Sequence, residues 1–229
     1  MQRQPVITKD GSHTLAVPEM NVTYHSLHGA IQESLHVYIQ AGLYKVSDAP
    51  AKGGTSDTIR IFEMGFGTGL NALLTQIENE KLQLPVHYTA IELFPLDTRE
   101  VHLLNYCRLL DKPGLQTAFE QIHQCDWEKD IAITPLFTIH KINCNLVNFS
   151  SGRLFNLVYF DAFAPAAQPG LWTKEVFENL YRMMYDDGIL VTYCSKGDVR
   201  RAMQAAGFKT ERISGPRGKR EMLRAAKKA

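Results

Sequence analysis

The chain has 229 residues, 45% of them apolar, with 25 Lys/Arg against 24 Asp/Glu and a net charge of +1. That suffices for one α/β domain with a small extension, and no apolar run approaches the roughly 20 residues of a membrane span. The opening MQRQPVITKD lacks the apolar core of a signal peptide, and Cys107, Cys125, Cys144 and Cys194 form no C-x-x-C pair, so a reduced cytoplasmic protein without a metal centre or membrane is expected.

In chain order, VITKDGSHTLAV (6–17) predicts a hairpin turning at Asp10-Gly11. HGAIQESLHVYIQAGL (28–43) predicts a helix with Ile31, Leu35, Tyr38 and Ile39 on one face and Gly42 as terminator. DAPAKGGTSD (48–57) reads as a linker, which separates an N-terminal extension (1–55) from the main domain (56–229). Strands are predicted at 58–64, 86–93, 137–146, 155–163 and 188–194, and helices at 70–79, 97–110, 173–184 and 198–207. Asp97 and Glu100 have capping-box spacing. FKTERIS (208–214) and REMLRA (220–225), joined by GPRGK, predict a closing hairpin. The alternation implies a mainly parallel, doubly wound, Rossmann-like sheet with an antiparallel terminal strand.

FEMGFGTGLN (62–71) follows the first strand of that set, where such sheets bind ligands at their carboxyl edge. A P-loop would need G-x-x-x-x-G-K-[ST], and a dinucleotide fingerprint would need glycine where Leu70 stands. The remaining pattern, Glu63-x-Gly65-x-Gly67-x-Gly69, resembles the loop of S-adenosylmethionine-dependent methyltransferases. There the glycines let the backbone lie against the nucleoside and amino-acid parts of the cofactor. Glu92 ends the second strand, where a carboxylate can accept from both ribose hydroxyls. The bland reading is a tight turn beside a surface acid.

YFDAFAPAAQPGLW (159–172) is the other informative stretch. Asp161 follows the apolar run Leu157-Val158-Tyr159-Phe160 and should close a strand beside the cofactor. Pro165 stiffens the loop, and Phe163 and Trp172 offer rings on which a base can stack. The arrangement resembles the Asp-Pro-Pro-Tyr signature of amino-group methyltransferases. An alkylamine with a pKa of about 10.4 is protonated at pH 7 and has no free lone pair. A fixed carboxylate can take or orient its proton and face the positive charge that develops on nitrogen. Asp161 could equally close the loop through local hydrogen bonds.

With TKDGSHTL, YHSLHGAIQES, VTYCSKGDVRRAMQAAGF and GPRGKREMLRA added, nearly the whole chain resembles the methyltransferase domain of the MnmC/MnmD type. The resemblance implies a class I methyltransferase fold and methyl transfer from S-adenosyl-L-methionine to the aminomethyl group of 5-aminomethyl-2-thiouridine at the tRNA wobble position. Catalytic roles are implied for Asp161 and Phe163. Cofactor contacts are implied for Glu63, Gly65, Gly67, Thr68, Gly69, Asn71, Glu92 and Asn145, the last standing where many relatives have an adenine-contacting aspartate. Bifunctional relatives carry a flavin-dependent oxidase domain; with the chain ending at Ala229, no FAD is expected. Ser26 and Glu33, from the family's YHSxxGAxxES stretch, are expected to shape the substrate pocket with Pro165 and Trp172, although Glu33 also reads as an exposed helix residue and His25 as a structural histidine.

Charge is unevenly spread. From Lys196 onward there are eleven Lys/Arg against three Asp/Glu, so a basic C-terminal segment follows an acidic body. Such a segment is either a solvated surface or a polyanion contact. If FKTERIS is a sixth parallel strand, Arg217, Lys219 and Arg220 lie at the carboxyl edge and can hold phosphates of the anticodon arm. No obligate protein partner is expected. A small-molecule amine methyltransferase and a non-catalytic RNA-binding module remain the competing readings.

Overall fold

A computed structural model of the chain describes residues 2–48, 58–145, 147 and 149–228. Strands β1 (Gln4–Ile7) and β2 (His13–Val17) pair antiparallel, and β3 (Val22–Thr23) joins β2. Between β1 and β2, Asp10 accepts from the Ser12 amide at 3.0 Å while Gly11 turns with φ +82°.

The predicted helix runs on past Gly42. α1 (Ala30–Ser34) passes into a π-helical segment (Leu35–Leu43) and then into α2 (Tyr44–Ser47). A Cβ on Gly42 would lie 3.1 Å from Val191 and 3.2 Å from Tyr159. The missing side chain lets the helix approach the main sheet and does not end it. Beyond Asp48, the expected linker lies outside the described residues.

The main sheet comprises β4 (Ile59–Met64), β5 (Val86–Ile91), β6 (Asp130–Thr134), β7 (Phe137–Ile142), β8 (Phe155–Phe160), β9 (Met184–Thr192), β10 (Lys209–Ser214) and β11 (Glu221–Ala226). Their order is β10-β11-β9-β8-β4-β5-β7-β6. β7, β5, β4, β8 and β9 are mutually parallel; β6 and β11 run antiparallel to their neighbours, and β10 antiparallel to β11. FKTERIS is therefore an edge strand paired only with β11. Two reversals nevertheless restore its direction to that of the parallel set, so its following turn reaches the expected edge.

The helices are α3 (Leu70–Leu82), α4 (Thr98–His102), α5 (Tyr106–Leu110), α6 (Leu115–Gln124), α7 (Lys174–Arg182) and α8 (Gly197–Ala205). The single helix predicted over 97–110 is two, and the helix predicted to 184 yields Met184 to β9. Asp97 and Glu100 do form a capping box. Central strands bury both faces, which explains their nearly continuous apolar runs. Ile61 and Tyr159 share one core with Tyr38, Leu73 and Phe119; Phe62 and Phe160 share the other with Phe177 and Met203. The helix of the extension thus contributes to one of the two main cores. Loops following β4, β5 and β8 meet at one edge of the sheet.

Candidate active site

At that edge opens a cavity of about 320 Å³. Its wall includes the backbone of residues 64–68, Asn71, Glu92, Asn145, Asp161 and Phe163, with Tyr24 and His25 from the extension. Gly65 has φ +87° and Gly67 φ +50°, a region costly for side chains with a Cβ. A Cβ on Gly65 would come 3.0 Å from the Asp161 carbonyl, and one on Gly67 2.9 Å from the Tyr24 ring. The loop is bare partly because the chain's own β8 loop and extension close upon it.

Glu92 accepts from the Gly67 amide at 3.0 Å and from the Phe94 amide at 2.8 Å. Its carboxylate is thereby held against the glycine loop. Leu93, Phe94 and Val147, each more than two-fifths exposed, leave apolar surface at the mouth. Arg3 ties the extension down: it donates to both Glu100 oxygens (2.8 and 3.1 Å), to the Tyr24 hydroxyl (2.9 Å) and to the Phe94 carbonyl (2.5 Å). Tyr24 in turn meets Phe163 edge-on at 5.1 Å between centroids.

Asp161 sits partly exposed to this cavity. The Asn71 side-chain amide donates to Asp161 Oδ2 at 2.8 Å and to Glu63 Oε1 at 2.9 Å, bridging two carboxyl groups. Burial pushes Asp161 up to about 7. The Tyr38 hydroxyl opposes the rise, Glu33 adds to it, and Asn71 and Lys219 oppose it. Glu63, fully buried, is also pushed well up, first by desolvation. A carboxyl poised near neutrality beside a ligand-sized cavity suits proton transfer.

Residues 115–228 match a protein family described as S-adenosyl-L-methionine-dependent methyltransferase. Over this C-terminal half the chain belongs to that family. The matched stretch carries Asn145, Asp161, Phe163, Trp172 and the basic turn of this methyltransferase. Its relatives include two proteins called tRNA 5-methylaminomethyl-2-thiouridine biosynthesis bifunctional protein MnmC. The one from Cupriavidus metallidurans is 28% identical over 96% of this chain and 33% of its own length. The one from Burkholderia multivorans is 29% identical over 92% of this chain and 33% of its own length. The chain thus spans about a third of the curated relatives it matches. Among solved structures, MNMC2 from Aquifex aeolicus superposes with TM-score 0.75 at 22% identity, covering 100% of this chain and 71% of that one. Spermidine synthase from Thermotoga maritima shares the fold more distantly (TM-score 0.52, 11% identity, 98% and 68% covered).

The methyltransferase brings together most of the predicted site and redirects the rest. Gly65, Gly67, Thr68, Asn71, Glu92, Asn145, Asp161 and Phe163 line one cavity. Gly69, with φ +70°, opens α3 behind it, where a Cβ would meet His123 at 2.6 Å. Glu63 lies outside the cavity wall and is hydrogen-bonded to it through Asn71, because β4 points it into the interior. Trp172 is 6% exposed, packed edge-on against Phe160, and donates to the Phe163 carbonyl at 2.9 Å. It braces the Asp161 loop and offers no open face to a base. Pro165 is half-buried and lies outside the wall, as does Ser26, whose amide donates to Glu33 at 2.8 Å. Glu33 is buried, so the exposed-helix reading fails. Arg217 and Arg220 are exposed, but Lys219 turns inward to Glu33 at 2.7 Å.

Tyr24, Leu93, Phe94 and Gln168 are wall residues that the sequence reading did not single out. Leu93 and Phe94 directly follow Glu92 and could have been found by adjacency. Tyr24 precedes the noted His25-Ser26 pair, but only the folded extension shows that its ring covers Gly67. His25 is indeed buried, hydrogen-bonded to Thr68 Oγ1 at 2.7 Å and held down to about 4 by burial, yet it also lines the cavity. Among the described residues no cluster of three or more His, Cys, Asp or Glu side chains is arranged to hold a metal ion. No helix among them is long and apolar enough to cross a membrane.

Proposed function

We propose that this methyltransferase acts in the cytoplasm on tRNA, methylating the primary amine of 5-aminomethyl-(2-thio)uridine at the wobble position to give 5-methylaminomethyl-2-thiouridine. The observation that carries this reading is Asp161: a carboxyl held near neutral pH, fixed by Asn71, on the wall of the cavity beside the glycine loop. The names of the relatives point to the same modified nucleoside.

The residues present fit S-adenosyl-L-methionine. Glu92 offers its carboxylate to ribose hydroxyls from a position already fixed by two backbone amides. Asn71 Oδ1, buried and without a hydrogen-bond partner, is an acceptor on a wall side chain. The apolar lip of Leu93, Phe94 and Val147, with Asn145 beside it, suits a purine. The bound cofactor supplies a methyl group to a lone pair, its sulfur keeping the electrons of the broken bond.

An incoming ammonium would meet the Asp161 carboxylate, surrender a proton to it and expose its lone pair. Once Asp161 has passed that proton to water in the open cavity, its regained carboxylate would face the positive charge that returns to nitrogen as the new bond forms. Phe163, fixed by Trp172 at its carbonyl and by Gln168 at its amide (3.1 Å), forms the wall beside the amine. Arg217 and Arg220, exposed on the same edge, would hold anticodon-arm phosphates. The chemistry requires neither flavin nor metal. The deciding experiment incubates tRNA lacking the final methyl with protein and cofactor, then analyses nucleosides. Appearance of 5-methylaminomethyl-2-thiouridine is expected. Methylation of a free alkylamine but not of tRNA would refute the tRNA reading.

A further inference from the structure

Three segments far apart in sequence meet beside the Asp161 loop. The Lys219 ammonium donates to Glu33 Oε1 at 2.7 Å and stands 3.9 Å from the centroid of the Tyr193 ring. Glu33 Oε2 accepts the Ser26 amide at 2.8 Å. The Tyr193 hydroxyl donates to the carbonyl of Ala162, next to Asp161, at 2.8 Å. The turn carrying Lys219 is itself pinned: His36 Nε2 lies 2.8 Å from the Ser214 carbonyl, and Gly218 sits against His28 with no room for a Cβ. The Glu33 side chain is 9% exposed and that of Lys219 33%, so a solvent-screened surface pair is a poor description.

This arrangement goes beyond the reading of Lys219 as a phosphate contact. The titratable groups that bear on Asp161 are Glu33 from α1, Tyr38 from the π-helical segment, Glu63 from β4, Tyr88 from β5, Tyr193 after β9 and Lys219 from the β10–β11 turn. Lys219 contributes the positive charge in this set, and Glu33 a negative one.

We propose that Glu33 and Lys219 are positioning residues of opposed sign: through Tyr193 they hold the Asp161 loop, and through their charges they set how readily Asp161 accepts a proton. The relevance of that proton affinity to an acceptor amine rests on the function proposed above. A neighbouring carboxylate disfavours an ionised Asp161, and a neighbouring ammonium favours it. Removing the two charges singly must therefore move Asp161 in opposite directions, and removing both must largely cancel. A pair that served only to join two segments would show no such sign reversal.

The test uses the full chain with ¹³C-labelled aspartate, following the Asp161 carboxyl carbon by NMR across pH, its resonance assigned with Asp161→Asn. Lys219→Met should raise the titration midpoint and Glu33→Gln should lower it, each by about half a pH unit or more. The double variant should return close to the wild-type midpoint, because the two opposite shifts sum to nearly zero. Lys219→Arg, which keeps the charge, should preserve the midpoint. Should Glu33→Gln not fold, Lys219→Met against Lys219→Arg still carries the sign. Shifts of the same sign, unmoved midpoints or a double variant worse than either single would overturn the proposal. Because this readout needs no tRNA, a wild-type protein that fails to methylate tRNA would defeat the proposed function alone. Where both hold, the acid limb of single-turnover methyl transfer should move in the same order as the NMR midpoints.

Discussion

Replacing Asp161 by Asn removes a charge while keeping the shape and an oxygen that can accept from the Asn71 amide. In the folded protein Asp161 is raised from its ordinary 3.8 to about 7, chiefly by burial. A group raised in the folded state binds its proton more tightly there than in the unfolded chain. Its contribution to stability is fully present below about 3.8 and is lost as pH rises through about 7. A shift of about three units at 1.36 kcal/mol each sets a ceiling of about 4 kcal/mol. Because the carboxyl is open to a cavity that admits water, about 2 kcal/mol is the reasonable size. Asp161→Asn escapes this penalty and should be more stable than wild type at pH 8 by that amount, or about 4–8 °C in melting temperature for a chain of this length. At pH 4 the two should melt together. Thermal melts from pH 4 to 8 give the difference directly, while methyl transfer by the variant at pH 8 should fall on the order of 10²–10³-fold. A stability difference independent of pH would refute the environment assigned to Asp161, and undiminished transfer would remove it from the chemistry.

Gly67→Val should abolish S-adenosyl-L-methionine binding measured by calorimetry, since φ +50° is hostile to a β-branched residue and its Cβ would strike the Tyr24 ring at 2.9 Å; a folded variant of unchanged affinity would contradict the loop assignment. Arg217→Ala with Arg220→Ala should weaken tRNA binding and flatten its log–log salt dependence by roughly 0.7–0.9 per lost phosphate contact, leaving cofactor affinity unchanged. An unaltered slope would move the RNA surface elsewhere. Arg3→Ala, which frees Glu100, Tyr24 and the Phe94 carbonyl together, should cost about 3 kcal/mol of stability by chemical denaturation and weaken cofactor binding. A loss under about 1 kcal/mol would show the extension to be held by its other contacts.

Much of the candidate site's edge was legible in the chain because it depends on local chemistry. Apolar runs bounded by turns place β4, β5 and β8; the residue ending each run then falls at the carboxyl edge, which is how Asp161 and Glu92 could be placed beside the glycines. α6 could have been found the same way, since Leu115, Phe119 and Ile122 recur at helical spacing. β6 gave a weaker signal, an edge strand with both faces partly exposed. Whether Gly42 stopped a helix or admitted one to the sheet depended on Tyr159 and Val191, more than a hundred residues away. Tertiary contacts likewise turned Lys219 from the solvent to Glu33, set Trp172 behind Phe163 and laid Tyr24 across Gly67. Sequence determined which residues stand at strand ends, because period and apolarity are properties of neighbours. Packing decided which way their side chains face, because that depends on partners that only the folded chain brings within a few ångströms.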